Sequence, residues 1–176
     1  MAQIEVWNGD ICDLEVDAIV TPAVGSLWMS TGVAGAIKRA GGDAIEFAAI
    51  RHAPVELGQS VVTTAGILAA RAIIHAVSLD RDRRTSAEVL EAAVRSAMAR
   101  AREIGATSVA FPALGSGVGG FPLEEGARIT VAAVRAELPA SPTIAHVVFA
   151  LRGSAAYQAF SQALQEATAM SSGASQ

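Results

Sequence analysis

Hydrophobic and polar positions follow two periods along this chain, and each change of period marks an element. Ile4-Glu5-Val6-Trp7 alternates apolar with polar, as a strand with one solvated face does. Asn8-Gly9-Asp10 ends it. Glu15-Val16-Asp17-Ala18-Ile19-Val20 predicts a second strand, more apolar towards its end and stopped near Pro22. Val33 to Ala40 predicts a short helix closed by Gly41-Gly42. Asp43 is placed to cap the next helix, Ala44 to His52, ahead of Pro54. Two β-branched runs follow, Ser60 to Thr64 and Arg71 to Ser78, divided by a turn around Gly66.

The strongest helical period comes next. Thr85-Ser86-Ala87-Glu88 has capping-box form. Beyond it Val89, Leu90, Ala93, Val94, Ala97, Met98, Ala101 and Ile104 share one face, with Arg95, Arg100 and Arg102 mostly turned away. Gly105 ends this helix. Thr107 to Phe111 predicts a strand, Leu123 to Leu138 a helix, Thr143 to Ala150 a last strand and Ala155 to Ala167 a last helix. Strands alternating with helices imply a largely parallel sheet covered on both faces. The expected fold is a single α/β domain over residues 1–170, a three-layer α/β/α arrangement around a central mixed, mostly parallel sheet. Ser171 to Gln176 is too polar and small to pack and is expected to form a flexible tail.

One stretch departs from both periods. After the strand ending at Phe111 the chain reads Pro112-Ala113-Leu114-Gly115-Ser116-Gly117-Val118-Gly119-Gly120-Phe121-Pro122, with four glycines within six residues, and a helix follows. A strand feeding a glycine loop that feeds a helix suits phosphate, because glycines admit the ligand to the backbone and turn N–H groups towards it. The same glycines would serve a tight turn, so the loop alone is a weak signal. In parallel α/β sheets ligands sit outside the carboxyl ends of the strands. That rule gathers Asn8 to Ile11, Thr21 to Gly35, Gly115 to Phe121 and the segment after Ala150 on one rim.

Composition narrows the classes. With 52% hydrophobic and 17% charged residues in 176, the chain has the apolar content to bury a core. A net charge of -4 argues against nonspecific nucleic-acid binding, and leaves an anionic ligand to local N–H groups. Cys12 is the only cysteine, which excludes an internal disulfide, and His52, His75 and His146 lack metal-ligand spacing, so no metal is expected. His75, in an apolar strand, reads as a hydrogen-bonded structural residue; Cys12 and Arg71 read as ordinary core and surface residues. Met1-Ala2-Gln3-Ile4-Glu5 has no basic-then-apolar leader and no apolar run approaches membrane-span length, so the expectation is cytoplasmic with no membrane partner.

In this order and spacing, Gly9-Asp10-Ile11, Asp17-Ala18-Ile19-Val20, Gly32-Val33-Ala34-Gly35-Ala36-Ile37, Ile73-Ile74-His75 and Phe111 to Pro122 resemble the macro domain, a module best known for binding ADP-ribose. The resemblance runs from Ile4 to about Leu164. It implies a site in which Asp10 accepts from the adenine amine and the Ile11 N–H contacts the ring. The other reading of Asp10 is that it turns the chain after Gly9. Gly32, Val33 and the loop of Gly115, Ser116, Gly117, Val118 and Gly119 would wrap the diphosphate, with Thr21, Phe121 and Leu151 completing the ligand-binding set. No cofactor is implied.

The chain departs from the family's pattern at one end. Where the family continues its second strand into Asn-Ala-Ala-Asn, this chain has Thr21-Pro22-Ala23-Val24. Hydrolytic members place an asparagine at the Val24 position and often an aspartate at Ala34, and neither residue here can orient water or act as a base. An aromatic that often faces the distal ribose is replaced by Gly119, and the adenine-stacking aromatic by Leu151. Trp28 and Met29 lie nearby and supply apolar bulk. The expected function is binding of ADP-ribose or a related adenine diphosphate, free or on an ADP-ribosylated protein, with weak or no catalysis. Two alternatives stand: a hydrolase of ADP-ribosyl or O-acetyl-ADP-ribose esters, with Ser116 or Thr21 assisting, and an interaction module whose ligand site has decayed.

Overall fold

The computed structural model describes residues 1–117 and 119–174; Val118, expected in the second phosphate loop, lies outside them. In chain order the elements are β1 (Gln3–Asn8), β2 (Ala18–Val24), α1 (Gly32–Gly41), α2 (Ala44–Ile50), β3 (Ser60–Thr64), β4 (Ala72–Leu79), α3 (Ala87–Glu103), β5 (Ser108–Phe111), α4 (Leu123–Glu137), β6 (His146–Leu151) and α5 (Ser154–Gly173). The sheet runs β1-β6-β5-β2-β4-β3. Neighbours are parallel except β3 against β4, which is antiparallel. This is the mixed, mostly parallel sheet that the alternation of elements implies.

Side-chain alternation along the buried strands builds both cores. Ala18, Val20, Ile74, Ala76, Val109, Phe111, Val147 and Phe149 face one side and pack against residues of α3, α4 and α5. Their neighbours Ile19, Ile73, Ala110, Val148 and Ala150 face the other, against α1, α2 and the turn after β1. Such strands are apolar at most positions, because each face meets a helix; Thr21, His75 and Ser78 are buried polar exceptions. Phe149 anchors α5, its ring centroid 5.2 Å from that of Phe160 and 6.2 Å from that of Phe111.

Several local expectations are corrected. Glu15 to Asp17 precede β2 rather than forming part of it, and β2 runs on through Pro22 to Val24. Proline is accommodated because β5 pairs with β2 only at Ala18 and Ile19, leaving one edge of β2 without a ladder beyond that point. Asp17 instead accepts from the Thr107 N–H (2.7 Å) and hydroxyl (2.8 Å), tying the starts of β2 and β5 together. Asp43 has helical backbone angles and makes no capping hydrogen bond, so α2 starts without the cap expected of it. At α3 the cap is Ser86, whose Oγ accepts from the Val89 N–H, and not Thr85. Ile104, assigned to the buried face, is 43% exposed beyond the end of α3. The last helix continues through Gly173, and Ser171 Oγ accepts from Arg135 at 2.7 Å, so part of the expected tail is helical.

The topology also locates the cleft. From β5 the chain passes outward to β6, whereas from β2 it passes the opposite way to β3 and β4. Connections that leave two adjacent parallel strands in opposite directions open a crevice at their carboxyl ends.

Candidate functional site

A cleft crosses that crevice in two chambers, of about 190 and 400 Å³, which share Gly32, Val33, Ala113 and Gly117 at a common waist. Backbone forms the waist. On one side α1 begins at Gly32, and no hydrogen bond from the Thr31 side chain caps it. The first N–H groups of a helix have no partner within it, and the Gly35 N–H is the first to find one, at Thr31 O. The N–H groups of Gly32 to Ala34 are therefore left at the waist with the positive end of the α1 dipole.

The glycine loop forms the other side. Gly115 has φ 79 and Gly120 φ 62, left-handed values that close the loop and bring the Phe121 N–H to Gly115 O at 2.9 Å. A Cβ at Gly119 would stand 2.7 Å from Gly115 O, whereas one at Gly117 would meet nothing within 4 Å. Gly117 thus faces open cleft. Ser116 also lines the larger chamber, its Oγ donating to Ala113 O at 3.1 Å.

At the larger chamber's outer end Asp10 and Ile11 line the wall. Asp10 Oδ1 accepts from the Cys12 N–H at 2.9 Å and Oδ2 from Arg152 Nη2 at 2.6 Å. The Cys12 N–H, and then the Arg152 guanidinium, hold the Asp10 carboxyl below its usual range, against the opposing effect of partial burial. Leu151 borders the chamber but is only 1% exposed and belongs to the core, so it does not offer a free side chain to a base. The side chain standing at the mouth is that of the next residue, Arg152. Burial foremost, with the nearby Asp10 charge, pushes the Cys12 thiol up to about 11, consistent with an unreactive core cysteine.

The smaller chamber is mostly apolar, with Arg83 and the hydroxyl residues Ser30 and Thr31 as the polar groups among its described lining residues. Pro22, Ala23, Val24, Trp28, Ala34, Leu79 and Gly119 line it, together with Arg83. Trp28 is exposed and lines the chamber, while Met29 is buried beneath and lends only its backbone, whose N–H donates to Glu46 Oε2 at 2.7 Å. Lys38 Nζ donates to the other Glu46 oxygen at 2.8 Å, so a buried carboxylate pins the Trp28 loop to α1 and α2. Arg83 donates to the hydroxyls of Thr31 and Ser30, clasping the same loop from the far side.

Two expected residues stand elsewhere. Thr21 is fully buried in β2, its hydroxyl turned back to Pro22 O, and Phe121 packs against the larger core beside Gly115 and Gly126. Neither lines the cleft. His75 is structural as read: its Nε2 is 2.7 Å from Thr63 Oγ1, and burial lowers its pKa to about 4.

Arg39, Arg83 and Arg152 border the cleft and are not singled out by the sequence; among the described residues that line it Asp10 is the single carboxylate, in a chain of net charge -4. Two were within reach. Val33, Ala36 and Arg39 recur at helical spacing on one face of α1, and Arg152 immediately follows the last strand. Arg83 had no such signal, because it reaches the cleft by folding back from the β4–α3 loop.

Residues 20–130 match the family model for the Macro domain. An uncharacterised protein of Mycobacterium bovis is 44% identical over 165 residues, covering 94% of this chain but only 46% of its own length. A macro domain-containing protein of Streptomyces griseus is 40% identical, covering 92% of this chain and 94% of itself. The crystal structure of a Trypanosoma brucei macrodomain in complex with ADP-ribose superposes with a TM-score of 0.84 at 26% identity, covering 90% of this chain and 68% of that one. Among the described residues, no helix is long and apolar enough to cross a membrane and no cluster of side chains could hold a metal ion.

Proposed function

Because the chain belongs to the macro domain family, we propose that its cleft binds ADP-ribose or a closely related nucleoside diphosphate, as a reader and not as a hydrolase. The observation that carries this reading is the waist: the free N–H groups opening α1 lie across from the glycine loop, with open space at Gly117 between them. Guanidinium groups at both ends supply positive charge that the chain as a whole lacks. A diphosphate suits the waist, and the two chambers leave room for a nucleoside on one side and a second sugar on the other. The ADP-ribose held by the Trypanosoma brucei macrodomain has those parts.

Reading without hydrolysis follows from the smaller chamber. Hydrolysis of an ester at the distal sugar needs a group that activates or orients water there. Among the described residues lining that chamber there is no carboxylate and no histidine, and Arg83 donates without accepting. Ser116 and Thr21 already direct their hydroxyls to backbone carbonyls.

Calorimetric titration with ADP-ribose, ADP and AMP tests the binding. We expect saturable binding of ADP-ribose and ADP, weaker binding of AMP, and loss of all three in Gly117→Val. Unchanged affinity in that variant would refute the site. For catalysis, protein in molar excess over an O-acetyl-ADP-ribose or ADP-ribosylated protein substrate is expected to release no ADP-ribose, and stoichiometric release would overturn the assignment.

A further inference from the structure

The outer end of the larger chamber holds a pair of opposite charges where the family resemblance supplies a lone carboxylate. A lone carboxylate only accepts hydrogen bonds. It therefore favours the exocyclic amine of adenine and repels a base with a carbonyl at that position. In this chain Arg152 Nη2 lies 2.6 Å from Asp10 Oδ2. The Arg152 side chain is 73% exposed and borders the same chamber as Gly9, Asp10 and Ile11. A guanidinium carries about five N–H donors, and among the described residues Asp10 is the one acceptor it meets. The base end thus offers an acceptor and a donor side by side.

We propose that Asp10 and Arg152 read the purine edge together, so that the cleft admits 6-oxopurine nucleoside diphosphates, those of hypoxanthine and guanine, about as well as adenine ones. The inference rests on the nucleotide reading of the cleft and goes beyond it in naming the base class. A 6-oxopurine presents the O6 acceptor beside the N1–H donor. Arg152 donates to the first and Asp10 accepts from the second. Adenine presents its N6 donor beside a ring-nitrogen acceptor, which the same pair satisfies in the reverse order. Arginine also pairs naturally with O6 of a purine edge. The ion pair keeps the guanidinium near the base edge before ligand arrives, so less of its freedom is lost on binding. Removing Arg152 would leave Asp10 alone and restore discrimination for adenine.

The test is calorimetric titration of the full chain with ADP, IDP and GDP, with ADP-ribose as reference, for the native protein and Arg152→Ala. The native protein is expected to bind ADP and IDP within about threefold of each other, and Arg152→Ala to weaken IDP and GDP relative to ADP by about tenfold. Arg152 is exposed, so a melting temperature within about 2 °C of native establishes that the variant is folded. A native preference for ADP of about tenfold or more, or an ADP-to-IDP ratio unmoved in Arg152→Ala, overturns the proposal. If ADP-ribose binds and IDP does not, only the base assignment fails. If none of these ligands binds, the nucleotide reading fails and this inference falls with it.

Discussion

The two chambers of the cleft share a waist and diverge completely beyond it. The larger ends in charge: Asp10 and Arg152 form an ion pair and Arg39 stands nearby. The smaller ends in Val24, Ala34, Leu79 and Trp28, with Arg83 as the one charged group among its described lining residues. Between them, binding potential is written in backbone N–H groups and glycine conformation, which most side-chain changes leave intact. At the ends it is written in side chains, where one substitution removes a contact. A site of this kind can change at either end and keep its waist.

Blocking the waist is the severest way to break the comparison, because it should abolish binding at both ends together. Gly117→Val is expected to eliminate ADP and ADP-ribose binding while shifting the melting temperature by less than about 2 °C, since the added Cβ meets open space. Gly119→Val is the contrasting variant: its Cβ would press on Gly115 O, so the loop itself should distort and stability should fall measurably.

A second experiment acts through the smaller chamber's support. Glu46→Ala leaves the buried Met29 N–H without its acceptor, and we expect a loss of about 2 kcal/mol by denaturant titration, with ADP-ribose affinity falling more than that for ADP. Burial raises the Glu46 pKa, but Lys38 and the Met29 N–H outweigh it and the net shift is downward. The native protein therefore holds this contribution above the ordinary carboxylate pKa and loses it as pH falls through the lowered value. Glu46→Gln should flatten that part of the stability profile. His75 adds to the acid loss with the same sign. Its folded pKa, about 4, lies below the ordinary 6.5, so its stabilisation is complete above 6.5 and is lost as pH falls to about 4.

Smaller effects separate the ends. Asp10→Asn should weaken ADP and ADP-ribose equally, by about 0.5–1.5 kcal/mol, because both would present the same base to that chamber. Val24→Asn is expected to act oppositely and only at the distal sugar, raising ADP-ribose affinity over ADP by about 0.5–1 kcal/mol, read by the same titrations. Equal gains for the two ligands would show that Val24 does not face the distal sugar.

The legibility of the chain followed the range of each interaction. Strands and helices came through because their period is local: all six strands and five helices were placed near their observed spans, with errors at the ends. Pro22 reads as a strand breaker from sequence because the free edge of β2, where proline costs little, depends on where β5 turns away. Asp43 reads as a cap from residue type alone, whereas capping requires an extended backbone that it does not have. Asp10, Gly32, Gly115 and Gly117 are read from motif and position together, and all four line the cleft. Thr21, Phe121 and Leu151 lie on rim segments while their side chains serve the core, and of the three Leu151 borders a chamber.

By itself the sequence determined the order of elements, the apolar strands that demand helices on both faces, and the glycine loop set between a strand and a helix. These depend on local period and on conformational freedom, which residues carry wherever they sit. Tertiary structure alone decided that Arg83 clasps the Trp28 loop, that Glu46 holds Met29, and that Arg152 meets Asp10 across 142 positions of chain. A charge's partner is set by which ends of the sheet come together, and no local pattern contains that distance.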